Sequence, residues 1–159
     1  MDRVQKQYTK PVALRILGWR VYAVRALLLR QVQHAVAVDE LKLSDRSISA
    51  KSLMRQSVIV NACAGMIRID GESNIISLVH KTTQEYFDQS GPKHFPQAQW
   101  DIAITCLKYL SLKVFSEGHC STDELYERRL RKTHYLSMPL GVWAIISLKG
   151  PNTVCMIWH

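Results

Sequence analysis

AGMIRIDGESNIISLVHKTTQEYF, residues 64–87, is the stretch whose reading decides the fold. Met66–Asp70 alternates, with Ile67 and Ile69 on one side and Arg68 and Asp70 on the other. Ile75–His80 answers it, with Ile76 and Leu78 alternating against Ser77. A period of two places one set of side chains on each face of a strand. Between the runs lie Gly71, Ser73 and Asn74, residues that tolerate a left-handed backbone or bond their own main chain, so the pattern is a β-hairpin. Thr82-Thr83-Gln84-Glu85 follows, a capping-box pattern that predicts a helix start at Thr82, with the Glu85 carboxylate reaching back to the cap. A hairpin running into a capped helix is therefore the centre of the chain.

Working outward, a length of 159 residues allows one domain, or one and a half, with a real core. The apolar fraction of 47% and charged fraction of 21% are those of a soluble globular chain. The first ten residues are polar and resemble no secretion signal. The longest apolar run, Leu136–Leu148, contains Pro139 and Gly141 and falls short of the ~20 residues a bilayer span needs. The expectation is a cytoplasmic chain with no membrane partner. Cys63, Cys106, Cys120 and Cys155 are isolated, which reads as reduced, mostly buried thiols.

The net charge of +8 is concentrated in residues 1–60, with eleven Lys/Arg against four Asp/Glu. Basic excess raises nucleic acid as a partner but does not establish it. Arg15, Arg20, Arg25 and Arg30 recur every five residues. On a helix each would sit ~140° from the last, so they form no single stripe and read as solvated surface.

In chain order, apolar residues at 13, 16, 17, 21 and 24 predict a helix over Val12–Val24. A second is expected over Leu29–Val38 with Val32, Ala35 and Val36 inward, then a polar loop over Leu41–Ser49. Ser49 offers an N-cap for a third helix reaching Ala64, stopped by Gly65. Beyond the hairpin, Ser90-Gly91-Pro92 reads as a break. Pro96 then opens a long helix to about Phe115, with Ala103, Cys106, Leu107, Leu110 and Val114 on its inner side. Ser121-x-x-Glu124 caps a last helix whose final turn holds Arg128, Arg129, Arg131 and Lys132, charges that suit a helix C-terminus. The fold class is mainly α: a winged helix of three helices plus a β-hairpin wing at 1–90, a helical extension at 91–143, and an irregular tail at 144–159.

Five segments carry a family resemblance: RILGW-x-x-x-A-x-R at 15–25, QHAVAVDE at 33–40, NACAGMIRID at 61–70, ESNIISLVHKTTQEYF at 72–87 and HFPQAQWDIAITCLKYLS at 94–111. Together they resemble the winged-helix region of fungal NACHT–ankyrin proteins, the "GPI inositol-deacylase winged helix" domain, over residues 3–135. Such proteins are STAND-type signalling NTPases related to NOD-like receptors. The resemblance implies a fragment that lacks the NACHT and ankyrin parts, a non-catalytic regulatory and interaction module, and partners in those two domains. In NACHT proteins a similar histidine, placed like His80, contacts the phosphates of bound ADP and holds the resting state closed. The resemblance thus assigns nucleotide sensing to His80 and makes Gln84, Glu85, Tyr86 and Phe87 interface candidates. Without it, His80 reads as a residue packed at a strand–helix junction. By spacing alone, Tyr86, Phe87, Trp100 and Tyr109 read as core, as do Trp19 and Trp143.

The chemistry expected is slight. No G-x-x-x-x-G-K-S/T phosphate loop and no G-x-S-x-G nucleophile elbow occurs, so the expectation is no enzyme and no cofactor. His94, Cys106, His119 and Cys120 carry metal-binding atoms, but spacings of 12 and 13 between unlike ligands match no zinc clip. The alternative function is a DNA-binding winged helix, reading through the third helix and the wing. That helix offers only Lys51 and Arg55, and the wing carries Asp70 and Glu72, which repel phosphate.

The family's usual Thr and Glu before the second helix are replaced by Leu28 and Gln31. On this reading the pair Leu28→Thr and Gln31→Glu rebuilds a lost capping box and stabilises by about 1 kcal/mol.

Overall fold

The computed structural model describes residues 2–23, 25–42, 45, 47–116 and 120–132. Helix α1 spans Asp2–Tyr22, ten residues earlier than apolar periodicity indicates. Its first ten residues are polar in sequence, so no apolar period announces them, and Pro11 lies inside the helix. Ile16, Leu17 and Trp19 form its buried strip, and α1 packs against four other helices. Gly18 sits in that strip because a Cβ there would come within 3.2 Å of the Ala98 Cβ.

After α1 comes a strand that the sequence does not announce, β1 at Leu27–Leu28. It pairs antiparallel with the second hairpin strand, Leu27 opposite Ile76 and Leu28 opposite Ile75. Helix α2 follows at once, Leu29–Glu40, with Val32, Ala35, Val36 and Val38 buried as a 3.6-residue period requires.

The third helix is split. Ser49 does cap, accepting from the Lys51 amide, but only a 3-10 turn, Ala50–Ser52, follows. The chain then runs extended until α3, Gln56–Ala62. The Met54 carbonyl in this stretch accepts a 2.7 Å bond from the Gln33 amide on α2. That contact, distant in sequence, holds the backbone out of a helix. Helix α3 ends at Ala62, two residues short of the expected Ala64, and Ala64 at φ +49° and Gly65 at φ +75° then turn the chain.

The hairpin forms where the alternation places it: β2 at Ile67–Ile69 and β3 at Ile75–Leu78, with Ile67 opposite Leu78 and Ile69 opposite Ile76. Asp70 closes the turn, its carboxylate accepting from the Ser73 amide at 2.8 Å and the Ser73 hydroxyl at 2.6 Å. The sheet order is β1-β3-β2.

Helix α4 spans Lys81–His94 and runs through the expected break at Ser90–Pro92. The domain boundary expected at residue 90 thus falls inside a helix. Gly91 is buried there against α1, where a Cβ would stand 3.5 Å from Val21. The expected helix over 96–115 is two pieces, α5 at Ala98–Leu110 and a single turn, α6, at Lys113–Ser116. Its inner face is also rotated from expectation: Ile102, Thr105, Cys106 and Tyr109 are buried, whereas Leu107 and Leu110 are exposed. Helix α7, Asp123–Lys132, is capped by Thr122, whose hydroxyl accepts from the Leu125 amide, rather than by Ser121. The expectations for Cys155, Trp143 and the 144–159 tail lie outside the described residues. With seven helices and one small antiparallel sheet among the described residues, the architecture is the mainly α winged helix with a helical extension.

One polar clasp orients α5. Asp39 on α2 lies 3.1 Å from the Arg15 guanidinium of α1 and accepts from the Thr105 hydroxyl of α5, which is fully buried. Burial raises the Asp39 carboxyl above its ordinary value, against the pull of Thr105 and Arg15. A raised acid favours the folded state below its unfolded pKa and loses that advantage as pH rises through the folded value, so charged Asp39 costs stability at neutral pH. We expect Arg15→Ala to destabilise by about 1–2 kcal/mol, a discounted figure because Arg15 is partly exposed. The loss should shrink in acid buffer, as pH falls towards the raised range of the Asp39 carboxyl. Denaturant midpoints at both pH values check this, and a loss independent of pH would refute it.

The start of α2 yields a second expectation. The buried Gln31 side chain already accepts from the Leu28 amide at 2.9 Å, which is half of a capping box. Only the N-cap acceptor is missing, since Leu28 has none. The structure therefore divides the expectation drawn from sequence. Leu28→Thr alone should add about 1 kcal/mol. Adding Gln31→Glu should remove that gain, because a carboxylate would be buried. Thermal melts of both variants measure the difference.

Candidate functional site

The residues singled out by sequence lie at the strand–helix junction. β3 ends at Leu78, and the Val79 amide adds a 3.0 Å bond to the Met66 carbonyl, which extends the hairpin by one residue. His80 is then the N-cap of α4, with extended backbone (φ −119°, ψ 138°), and its carbonyl accepts from the amides of Thr83 and Gln84. Its side chain caps nothing and is exposed. The helix therefore begins at Lys81, and the cap expected at Thr82 is two residues too late. The imidazole stands at the positive end of a 14-residue helix, beside the exposed Lys81.

The four interface candidates separate. Gln84 donates to Asp88 at 2.7 Å along the helix. Glu85 lies 3.8 Å from Lys81, an exposed pair of little energetic weight. Tyr86 is 54% exposed, and its hydroxyl lies 2.6 Å from the His94 ring nitrogen. Phe87 is 7% exposed and packs on Phe95 with ring centres 5.3 Å apart, so it belongs to the core and not to an interface. Helical spacing explains the split, since neighbouring residues are ~100° apart. Of the other aromatics read as core, Trp19 and Tyr109 are buried, whereas Trp100 is 60% exposed.

On the face that a winged helix would turn to DNA, α3 presents Gln56, Ser57, Val58 and Asn61, with Arg55 and Lys51 at its leading end. Arg68 is engaged across the hairpin with Ser77 at 3.0 Å. At the wing tip, the hydrogen bonds from Ser73 hold the Asp70 carboxyl below its usual range, so it stays charged beside Glu72. A fixed anion at the tip opposes phosphate.

Among the described residues, no three His, Cys, Asp or Glu side chains converge as metal ligands. Cys106 is buried on α5, His94 bonds Tyr86, and His119 lies outside the described residues. Burial pushes the Cys63 thiol up to about 11, which leaves it unreactive. Also among the described residues, no helix is long and apolar enough to cross a membrane. A groove of about 620 Å³ opens between α5 and the segment after α2, lined by Leu41, Lys42, Ile104, Leu107 and Leu112 among others. Sequence reasoning missed it because it assigned Leu107 and Leu110 to the core. The usable signal was the second apolar series on α5, Trp100, Ala103, Ile104, Leu107 and Leu110, on the side opposite Ile102, Thr105 and Tyr109.

The model of a known family, described as "GPI inositol-deacylase, winged helix domain", matches residues 1–104. No curated protein and no solved structure matches the chain.

The junction generates a contrast between neighbours. Phe87→Ala should cost about 3 kcal/mol, the scale of a buried aromatic truncation. His80→Ala, at an exposed position without a cap bond, should change stability by less than about 0.5 kcal/mol. Chemical denaturation of the two variants tests this, and a large loss at His80 would make it a structural residue.

Proposed function

The chain belongs to the GPI inositol-deacylase winged helix domain family, and we propose that it is a non-catalytic regulatory and interaction module of a fungal NACHT-type signalling protein. In this reading it works in the cytoplasm, couples a nucleotide-binding NACHT domain to ankyrin repeats, and has no cofactor or catalytic residue of its own. The observation that carries the reading is His80, an exposed imidazole whose side chain has no capping duty, held at the positive end of α4. An imidazole N–H aimed from a rigid strand end makes a charge-assisted bond to a phosphate oxygen, and the helix dipole favours the same anion. Such a contact would exist only when the NTPase domain is closed on this module. It would therefore bias a two-state equilibrium towards the resting, ADP-bound form. Half-buried Gln84 and exposed Glu85 and Tyr86, on the same helix, would complete the facing surface.

Duplex DNA is the other reading, supported by Lys51, Arg55 and the uncharged polar face of α3 and opposed by the charged wing tip. Fluorescence anisotropy with a mixed duplex at low salt should show no salt-dependent binding; tight binding that weakens steeply with salt would favour DNA.

The decisive test grafts this module into a full-length NACHT protein. His80→Ala should speed ADP release about tenfold or more, the scale of one charge-assisted bond, and raise basal signalling. Equal retention with and without the imidazole would withdraw the sensing role.

A further inference from the structure

Helix α5 is apolar on two opposite sides. Ile102, Thr105, Cys106 and Tyr109 face the core, and Thr105 locks that orientation through Asp39. The other side carries Trp100, Ile104, Leu107 and Leu110, a series at helical spacing with Trp100 60%, Leu107 43% and Leu110 37% exposed. One polar clasp therefore forces an apolar stripe outward. Its middle opens into the groove of about 620 Å³, where Leu41 and Leu112 add apolar walls and Lys42, Asp45 and Lys108 add charges of both signs. A stripe and groove of this kind favour an occupant that is apolar and uncharged, since a charge of either sign would meet a like one. Helix α7 is not that occupant: it is rich in charge, and its own Leu125 and Tyr126 are exposed.

Twenty-seven residues, 133–159, follow α7 in the chain. They contain Leu136–Leu148, thirteen residues without a single charge, including Leu140, Val142, Trp143, Ile145 and Ile146. We propose that the segment Leu136–Leu148 docks along the outward face of α5, over Trp100, Ile104, Leu107 and Leu110. The dimensions agree. Trp100 to Leu110 is a rise of about 15 Å on a helix, shorter than thirteen residues in either helical or extended form. Ten residues from Lys132 to Val142 reach up to about 33–36 Å, enough to cross a small domain. The chemistry agrees as well, because an uncharged run sets no like charge against Lys42, Asp45 or Lys108 and removes apolar surface from water on both partners. This inference does not depend on nucleotide sensing or on a NACHT partner.

The test uses the full chain with a photoreactive phenylalanine at Leu107, an exposed position whose replacement leaves the core intact. A second probe sits at Val58, exposed on the distant α3. Irradiation in dilute solution, followed by peptide mapping, should join position 107 to residues 136–148 within one chain, while position 58 does not. Adducts between chains would mean that a second copy covers α5, and no adduct would mean that the face is bare; either result overturns the proposal. An independent arm uses Leu107→Asp. Chymotryptic cleavage at Trp143 should accelerate about tenfold and binding of an apolar dye should rise, with far-ultraviolet helicity unchanged. Unchanged cleavage at Trp143 would equally overturn it.

Discussion

The buried carboxylate of Asp39 is the constraint on which the arrangement of helices turns. It sits where α1, α2 and α5 meet, held by Arg15 from one side and Thr105 from the other. Apolar contacts are non-directional and would let α5 rotate by a fraction of a turn with little change in buried area. A buried hydroxyl bonded to a buried carboxylate does not permit that rotation, because breaking it leaves a desolvated group unsatisfied. The clasp thus selects which of two apolar faces of α5 enters the core. Burial works against the charge it encloses, so the clasp specifies orientation more than it stabilises.

How far the sequence carried this fold depends on how local each determinant is. The hairpin is legible because both its signals, a period of two and the turn residues Gly71, Ser73 and Asn74, lie within the same short stretch. Gly65 and the buried side of α2 are legible for the same reason. β1 is not, since two residues cannot display a period and Leu27–Leu28 becomes a strand only by pairing with Ile75–Ile76. The split of the third helix is equally hidden, because it depends on Gln33 reaching the Met54 carbonyl from another helix. On α5 the signal was present but ambiguous: two apolar series share one helix, and only Thr105 and Asp39 choose between them.

The candidate site shows the same division. The position of His80 was clear from the strand period and the helix that follows, yet the cap was placed at Thr82 because a capping box can be matched without being formed. Geometry assigns the N-cap to His80 itself, with its carbonyl carrying the first helical bonds. Tyr86 and Phe87 look alike in sequence, and the ~100° step of a helix gives one to solvent and the other to the core.

The turn of the wing also has a mechanical meaning. Asn74, in left-handed backbone at φ +56°, gives its carbonyl to the Leu29 amide, the first residue of α2, at 2.8 Å. Together with the β1–β3 pairing, this bond ties the turn of the wing to the beginning of a helix that reaches the core. The wing is a lever with its fulcrum at Leu29, not a loose flap. A partner that pulled on Gly71–Asn74 would strain the first turn of α2 before it displaced the loop. In hydrogen-exchange terms, the Leu29 amide would open together with the hairpin as one cooperative unit.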